Sequence, residues 1–241
     1  MPLLNSLKNY CLDLIFPIKC LGCNNFSDKY LCRDCAKIIP TPDMFHCLFC
    51  NARSSYTQIC LKCGKNHALN QCLSAVSYKN PLVRSLIQFL KYRFVKDIST
   101  DISLVLLNYL ERLREINLVD LNPLESIIVP VPLHKKRLRW RSFNQAELIA
   151  KSISRHFKIK IKNNILLRIS NNKPQAKIEI KKERRKNIKN VFCCRKNIAI
   201  DGKTIFLIDD LVTTGSTLNE CAKILKKSGA RKVIGITFAR G

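Results

Sequence analysis

Two adjacent carboxylates, Asp209 and Asp210, follow the apolar run IFLI, and the small or hydroxyl-bearing residues Thr213, Thr214, Gly215, Ser216 and Thr217 come shortly after. Such an apolar run suits a buried strand of a parallel sheet. The carboxyl ends of those strands are where open α/β sheets bind ligands. A helix starting after the turn aims its free backbone N–H groups at an anion, with hydroxyls beside them and Gly215 permitting close backbone approach. Two carboxylates repel a phosphate, so they are better suited to accept hydrogen bonds from paired sugar hydroxyls. One ribose 5-phosphate satisfies both halves of the pattern. A strand ended by Asp and a Ser/Thr-capped helix explains any one of these residues, but not the acid pair and the hydroxyl turn together. Neither G-x-x-x-x-G-K-[ST] nor G-x-G-x-x-G occurs, which excludes a Walker A loop and the dinucleotide fingerprint.

Eight of the thirteen cysteines form four Cys-x-x-Cys pairs: Cys20/Cys23, Cys32/Cys35, Cys47/Cys50 and Cys60/Cys63. Thiolates at that spacing converge on one tetrahedral metal, and two pairs complete a closed four-thiolate site. Disulfides fit poorly with a chain that shows no secretory signal. A redox dithiol is one pair beside a βαβ unit, not four in succession. Two structural Zn²⁺ sites are therefore expected. Spacers of 8 and 9 residues within the first and last pairs of knuckles suit tight ribbon hairpins with sequential pairing. An interleaved cross-brace is the alternative that spacing leaves open. Closed sites of this kind serve folding rather than catalysis. Cys11, Cys72, Cys193, Cys194 and Cys221 read as small core hydrophobes.

The segment VPVPLHKKRLRWRSFNQAEL, residues 129–148, leaves a strand through Pro130 and Pro132 and presents Lys135, Lys136, Arg137, Arg139 and Arg141 before a helix. A loop of cations at a sheet edge suits a pyrophosphate or a nucleic-acid backbone; the bland alternative is a solvated basic face. His134 stands alone, which makes it a weak general-base candidate. Phe143 suits core packing and Trp140 suits stacking on bases. The whole chain has 43 Lys+Arg against 17 Asp+Glu, a net charge of +26, and residues 130–196 alone hold 21 basic residues against three acidic. A block like this attracts polyanions such as single-stranded DNA. The alternative is compositional drift in a chain rich in Ile, Asn and Lys.

Around these residues stand the elements that must position them. With 241 residues, 46% hydrophobic and 25% charged, the chain has enough apolar side chain to fold and is long enough for one or two domains. A division into residues 1–70, a short helix with the zinc region, and 71–241 is expected. The zinc region is too small to hold an apolar core of its own. Strands are expected at 73–78, 126–131, 159–169, 191–194, 204–208 and 232–238, and helices at 1–19, 81–91, 97–116, 143–157 and 218–227, the last stopped by Gly229. Segment 170–190 is polar, basic and without period. Alternating strands and helices imply a doubly wound, mostly parallel α/β sheet. No apolar run approaches the roughly 18 residues that span a bilayer, and the start lacks a signal-peptide pattern. A cytoplasmic protein without membrane insertion is the expectation.

The stretch 204–217 resembles the phosphoribosyl diphosphate (PRPP) signature of type I phosphoribosyltransferases. PVPLH…R-x-R-x-F-N-Q, Pro174–Gln175 and ERRKNI at 183–188 are together similar to the ComF/GntX family, over nearly the whole chain and in the family's order. That resemblance implies a double zinc ribbon joined to a phosphoribosyltransferase-like domain. It implies that Asp209 and Asp210 contact the ribose 2- and 3-hydroxyls, that 213–217 hold the 5-phosphate, and that Mg²⁺ accompanies the pyrophosphate. It further implies handling of transforming single-stranded DNA in the cytoplasm. An active phosphoribosyltransferase on a base or amine, and a PRPP-sensing adaptor docking a protein through its zinc region, are the alternatives. Two departures stand out: Ser142 occupies the family's usual glycine position, and a glycine is also lost in the run 174–179.

Overall fold

Strands buried on both faces read as continuous apolar runs, and those runs are where the sheet forms. The computed structural model describes residues 17–42, 44–54, 59–93, 95–170, 191–195 and 199–241. The expected helix at 1–19 lies outside these residues except at its end. Cys11, Pro174–Gln175 and 183–188 also lie outside them. In chain order the elements are α1 (Arg33–Lys37), α2 (Leu61–Gly64), β1 (Gln71–Ser77) and α3 (Pro81–Gln88), which runs into a π-helical turn (Phe89–Arg93). There follow α4 (Ile98–Glu115), β2 (Ser126–Pro130), α5 (Lys135–Arg141), α6 (Gln145–Phe157), β3 (Lys160–Ile161) and β4 (Leu166–Arg168). The chain closes with β5 (Phe192–Cys194), β6 (Thr204–Val212), α7 (Ser216–Lys227) and β7 (Lys232–Arg240).

Five strands form one parallel sheet in the order β1-β7-β6-β2-β3, and β4 and β5 make a separate antiparallel pair. The single strand expected over 159–169 is thus two short ones in different sheets. From β2 the chain winds outward to β3, then crosses back to β6 on the other side of β2. The crevice at the carboxyl ends of β2 and β6 is the switch point where such sheets bind ligands. A local signal starts α3. Asn80 caps α3 by accepting from Leu82 N at 2.9 Å, with Pro81 in the first turn.

Alternate residues of the strands face two cores. Ile128, Phe206, Ile208, Ile234, Ile236 and Phe238 join α3, α4 and α6 on one face. Ile127, Val129, Ile205, Leu207 and Val233 join α7 and the β4–β5 pair on the other. The cysteine-rich region is shared between them. Cys20, Leu31, Cys35 and Ile39 belong to the first core, while Cys47, Leu48, Ile59 and Leu69 belong to the second. A clasp fixes the first ribbon: buried Asp101 of α4 accepts from Leu31 N at 3.1 Å. No helix among the described residues is long and apolar enough to cross a membrane.

The cation-rich stretch before α6 is not a loop but a helix, α5. Lys, Arg and Leu are good helix formers, and His134 caps the helix by accepting from Lys136 N at its Nδ1 (3.2 Å). That contact gives His134 a structural role. At the other end Ser142 sits at φ 64°, the left-handed region, and donates its N–H to Leu138 O at 2.8 Å. A side chain there costs about 1–2 kcal/mol, against roughly 0.5–1 kcal/mol of extra backbone entropy lost by glycine. Ser142→Gly is expected to stabilise the chain by up to about 1 kcal/mol. A thermal melt should rise by roughly 2–4 °C, and a lower midpoint would contradict the strain argument.

Candidate functional site

The acid pair stands on β6 itself, because that strand runs on to Val212 beside β7 rather than ending before the carboxylates. Asp209 is partly buried and Asp210 buried. Asp209 Oδ1 accepts from Asp210 N at 2.9 Å. Lys91 reaches Asp210 Oδ2 at 2.8 Å from the π-helical turn, with both side chains largely covered. Burial first, then the neighbouring Asp210 carboxyl, holds the Asp209 carboxyl well above the usual aspartate range, and Lys91 offsets part of this. The turn follows directly. Thr214 Oγ1 and Ser216 Oγ lie 2.8 Å apart, and Gly215 at φ 71° starts α7. Thr214, Gly215 and Ser216 are buried, while Thr213 and Thr217 are partly exposed.

Of the five cations in α5, only Arg137 and Arg141 turn inward; Lys135, Lys136 and Arg139 are exposed. The Arg141 guanidinium lies 5.8 Å from the Tyr92 ring and donates to Gln145 Oε1 at 3.1 Å. Thus α5 packs beside the π-helical turn that carries Lys91. A second cation comes from β4: Arg168 is partly buried, and its pKa is lowered to about 10, by burial first and then by Arg137. Among the described residues, the buried donors Arg141 Nε and Gln145 Nε2 have no hydrogen-bond partner. The F-N-Q run has a clear structural use here. Phe143 is buried, Asn144 caps α6 and donates to Val131 O (3.0 Å), and Gln145 holds Arg141. Trp140 is 57% exposed, with Tyr92 edge-on at 6.4 Å and the Arg141 guanidinium 5.8 Å from its ring.

Two of these residues, Lys91 and Arg168, escape sequence reading. Lys91 reads as the polar face of an amphipathic helix. Only the wider π-helical turn, a feature frequent at functional sites, marks it.

The cysteines gather sequentially. The sulfurs of Cys20, Cys23, Cys32 and Cys35 lie within 4.8 Å of one another, as do those of Cys47, Cys50, Cys60 and Cys63. Backbone N–H groups of Gly22 and Cys32 point at Cys20 Sγ, both at 3.4 Å, which favours a thiolate there. Four soft sulfur donors in a closed group fit Zn²⁺. Cross-bracing is not what the fold adopts. The remaining cysteines are mixed: Cys221 is fully buried, whereas Cys72, Cys193 and Cys194 are partly covered.

Next to Thr213 and Thr214 lies a cavity of about 870 Å³, walled by Phe45, Leu48 and Phe49 on the ribbon side, by Ser74 of β1 and by Arg240 at the end of β7. It adjoins the acid pair's strand on the side of β7 and β1.

Residues 144–241 match the phosphoribosyl transferase domain family. The chain is 31% identical over 224 residues to competence protein F of Haemophilus influenzae, covering 90% of this chain and 95% of that protein. It belongs to the competence protein F (ComF) family. DNA utilization protein YhgH of Escherichia coli is 30% identical over 205 residues, covering 84% of this chain and 87% of that one. Competence protein ComFC of Bacillus subtilis is 38% identical over 115 residues, 47% of this chain and 44% of its own length. In this ComF-family chain the matched domain contains α6 to β7. It therefore includes the acid pair and the turn, while Lys91, α5 and both ribbons lie before it.

Proposed function

We propose that this ComF-family protein binds PRPP or a related ribose 5-phosphate with Mg²⁺, binds single-stranded DNA, and works in the cytoplasm in the uptake of transforming DNA. The observation that carries the first part is the acid pair on β6 running straight into the hydroxyl-rich turn at the start of α7. Asp209 and Asp210 accept from the ribose hydroxyls, and residues 213–217 take the 5-phosphate on backbone N–H groups and hydroxyls. Arg137, Arg141 and Arg168 supply positive charge for the diphosphate, Gln145 Nε2 adds a neutral donor, and Lys91 offsets the charge of Asp210. Carboxylate oxygens are hard donors suited to Mg²⁺, which supplies charge neutralisation of the diphosphate when bound. Calorimetric titration of PRPP with Mg²⁺ tests this part.

The DNA part is supported by exposed Lys135, Lys136, Arg139 and Trp140 on α5 and by the names of the relatives, competence and DNA utilization proteins. Affinity for an oligo-dT strand should fall steeply with salt, with a log–log slope of roughly −0.7 per phosphate contacted. Trp140→Ala should weaken binding by about 1–3 kcal/mol if one base stacks there. Binding insensitive to salt, or unchanged by Trp140→Ala, would count against α5 as the contact surface. A second reading, phosphoribosyl transfer to an acceptor, is favoured by the 870 Å³ cavity beside Thr213 and Thr214, which has room for a second small molecule. Pyrophosphate release across a panel of bases and amines separates it from binding alone.

A further inference from the structure

The phosphate turn is not open on all sides. A Cβ added to Gly215 would meet Leu48 Cδ2 at 2.5 Å and Phe49 Cε1 at 2.9 Å. Leu48 and Phe49 are the two residues inside the Cys47–Cys50 knuckle. The contact is held from several directions. The Phe49 ring stacks on His67 with centroids 3.6 Å apart. Arg240, at the end of β7, donates to His46 O (2.7 Å), Cys47 O (3.0 Å) and Asn51 Oδ1 (3.1 Å). The chain leaving the ribbon is tied to α7, where Asn219 Oδ1 accepts from Ala68 N at 2.9 Å. The first ribbon is fastened elsewhere: Gly22 packs on Leu82 of α3, and Leu31 N is held by Asp101 of α4. The two four-cysteine groups therefore belong to different cores and differ in what they touch.

We propose that Leu48 and Phe49 are positioning residues for the phosphate turn, so that metal at Cys47, Cys50, Cys60 and Cys63 and phosphate at residues 213–217 strengthen each other's binding. This rests on the reading of the turn as a phosphate site. The physical basis is conformational. The turn presents its N–H groups only while Gly215 holds its left-handed conformation, and the knuckle lies directly against that backbone. The convergence of the Cys47 and Cys50 sulfurs with those of Cys60 and Cys63 would let a shared metal tighten the knuckle beyond what the Arg240 hydrogen bonds and the Phe49–His67 stack provide. Two sites that favour one arrangement of a common contact are linked, and the linkage is reciprocal, typically 5–150-fold. The first four-cysteine group contributes to folding without this linkage.

The test uses the full zinc-loaded chain. Hydrogen exchange of the amides in 213–219 is compared among wild type, the Leu48→Ala, Phe49→Ala variant, the conservative Leu48→Met, Phe49→Tyr variant, and Leu31→Ala in the first ribbon. Ribose 5-phosphate is titrated into each. The alanine pair is expected to exchange about tenfold faster at the turn and to bind ribose 5-phosphate ~5–150-fold more weakly. The conservative pair should restore both, and Leu31→Ala should change neither. Ribose 5-phosphate should also slow the release of one zinc of the two to a chromogenic chelator. Unchanged exchange at the turn in a folded alanine pair overturns the inference. If wild type fails to bind ribose 5-phosphate, the phosphate reading falls, and with it the linkage; the exchange data then still decide whether the knuckle positions the turn.

Discussion

Replacing Asp209 by Asn is expected to weaken PRPP–Mg²⁺ binding by about 10- to 100-fold, because a charge-assisted hydrogen bond contributes about 1.5–3 kcal/mol. Asp209 is the better single test because it is free of the Lys91 ion pair, whereas Asp210→Asn strips a covered lysine of the carboxylate 2.8 Å away. Breaking such a pair costs several kcal/mol of stability when fully buried; Lys91 keeps 18% side-chain exposure, so solvent softens that figure. The Asp210→Asn variant should therefore melt earlier as well as bind worse, and the two effects need separate assays. The pH dependence follows from the raised Asp209 carboxyl. Sugar hydroxyls donate to the charged form, so binding favours loss of the proton. Affinity should rise as pH increases through the Asp209 value, and ligand binding near neutrality should release protons. Titrations in buffers of different ionisation enthalpy measure that release, which Asp209→Asn abolishes. A proton count of zero in wild type would contradict the assignment of Asp209 to the sugar.

Removing the metals is expected to have the larger effect on stability. Structural Zn²⁺ in small Cys-rich units contributes an apparent ~10–16 kcal/mol, comparable to or above the ~5–15 kcal/mol that separates native from unfolded chains. Here the loss does not stay in the ribbons. Cys20 and Cys35 are part of one core and Cys47 part of the other. Chelation should therefore lower the melting temperature of the sheet itself, with far- and near-ultraviolet signals changing in one transition. Ligand binding should vanish with it. A chelated protein whose sheet melts at the wild-type temperature would mean that residues 1–70 and 71–241 fold independently.

Several features are legible in the chain alone because they are local. Parallel strands buried on both faces must be apolar throughout, so IFLI and SIIVP announce β6 and β2. Cys-x-x-Cys knuckles are local geometry, and their short spacers point to the sequential pairing that the fold adopts. The acid pair and the hydroxyl turn are contiguous, so their joint chemistry needs no tertiary information. Ser142 is strained if its position requires a left-handed backbone, and at φ 64° it does. Helix α5 reads as a loop in the sequence, since charges on nearly every position hide the apolar period by which helices are recognised. The rest depends on long-range packing. Lys91 and Asp210 are far apart in sequence and meet only because α3 ends in a π-helical turn over the carboxyl end of β6. Arg168 joins Arg137 because the chain crosses back over the sheet between β3 and β6. The contact of Leu48 and Phe49 with Gly215 exists because the second ribbon packs on the same face as α7. Spacing along the chain determines which groups share a metal or a turn; only the order of strands and the packing of faces decide which distant groups share a site.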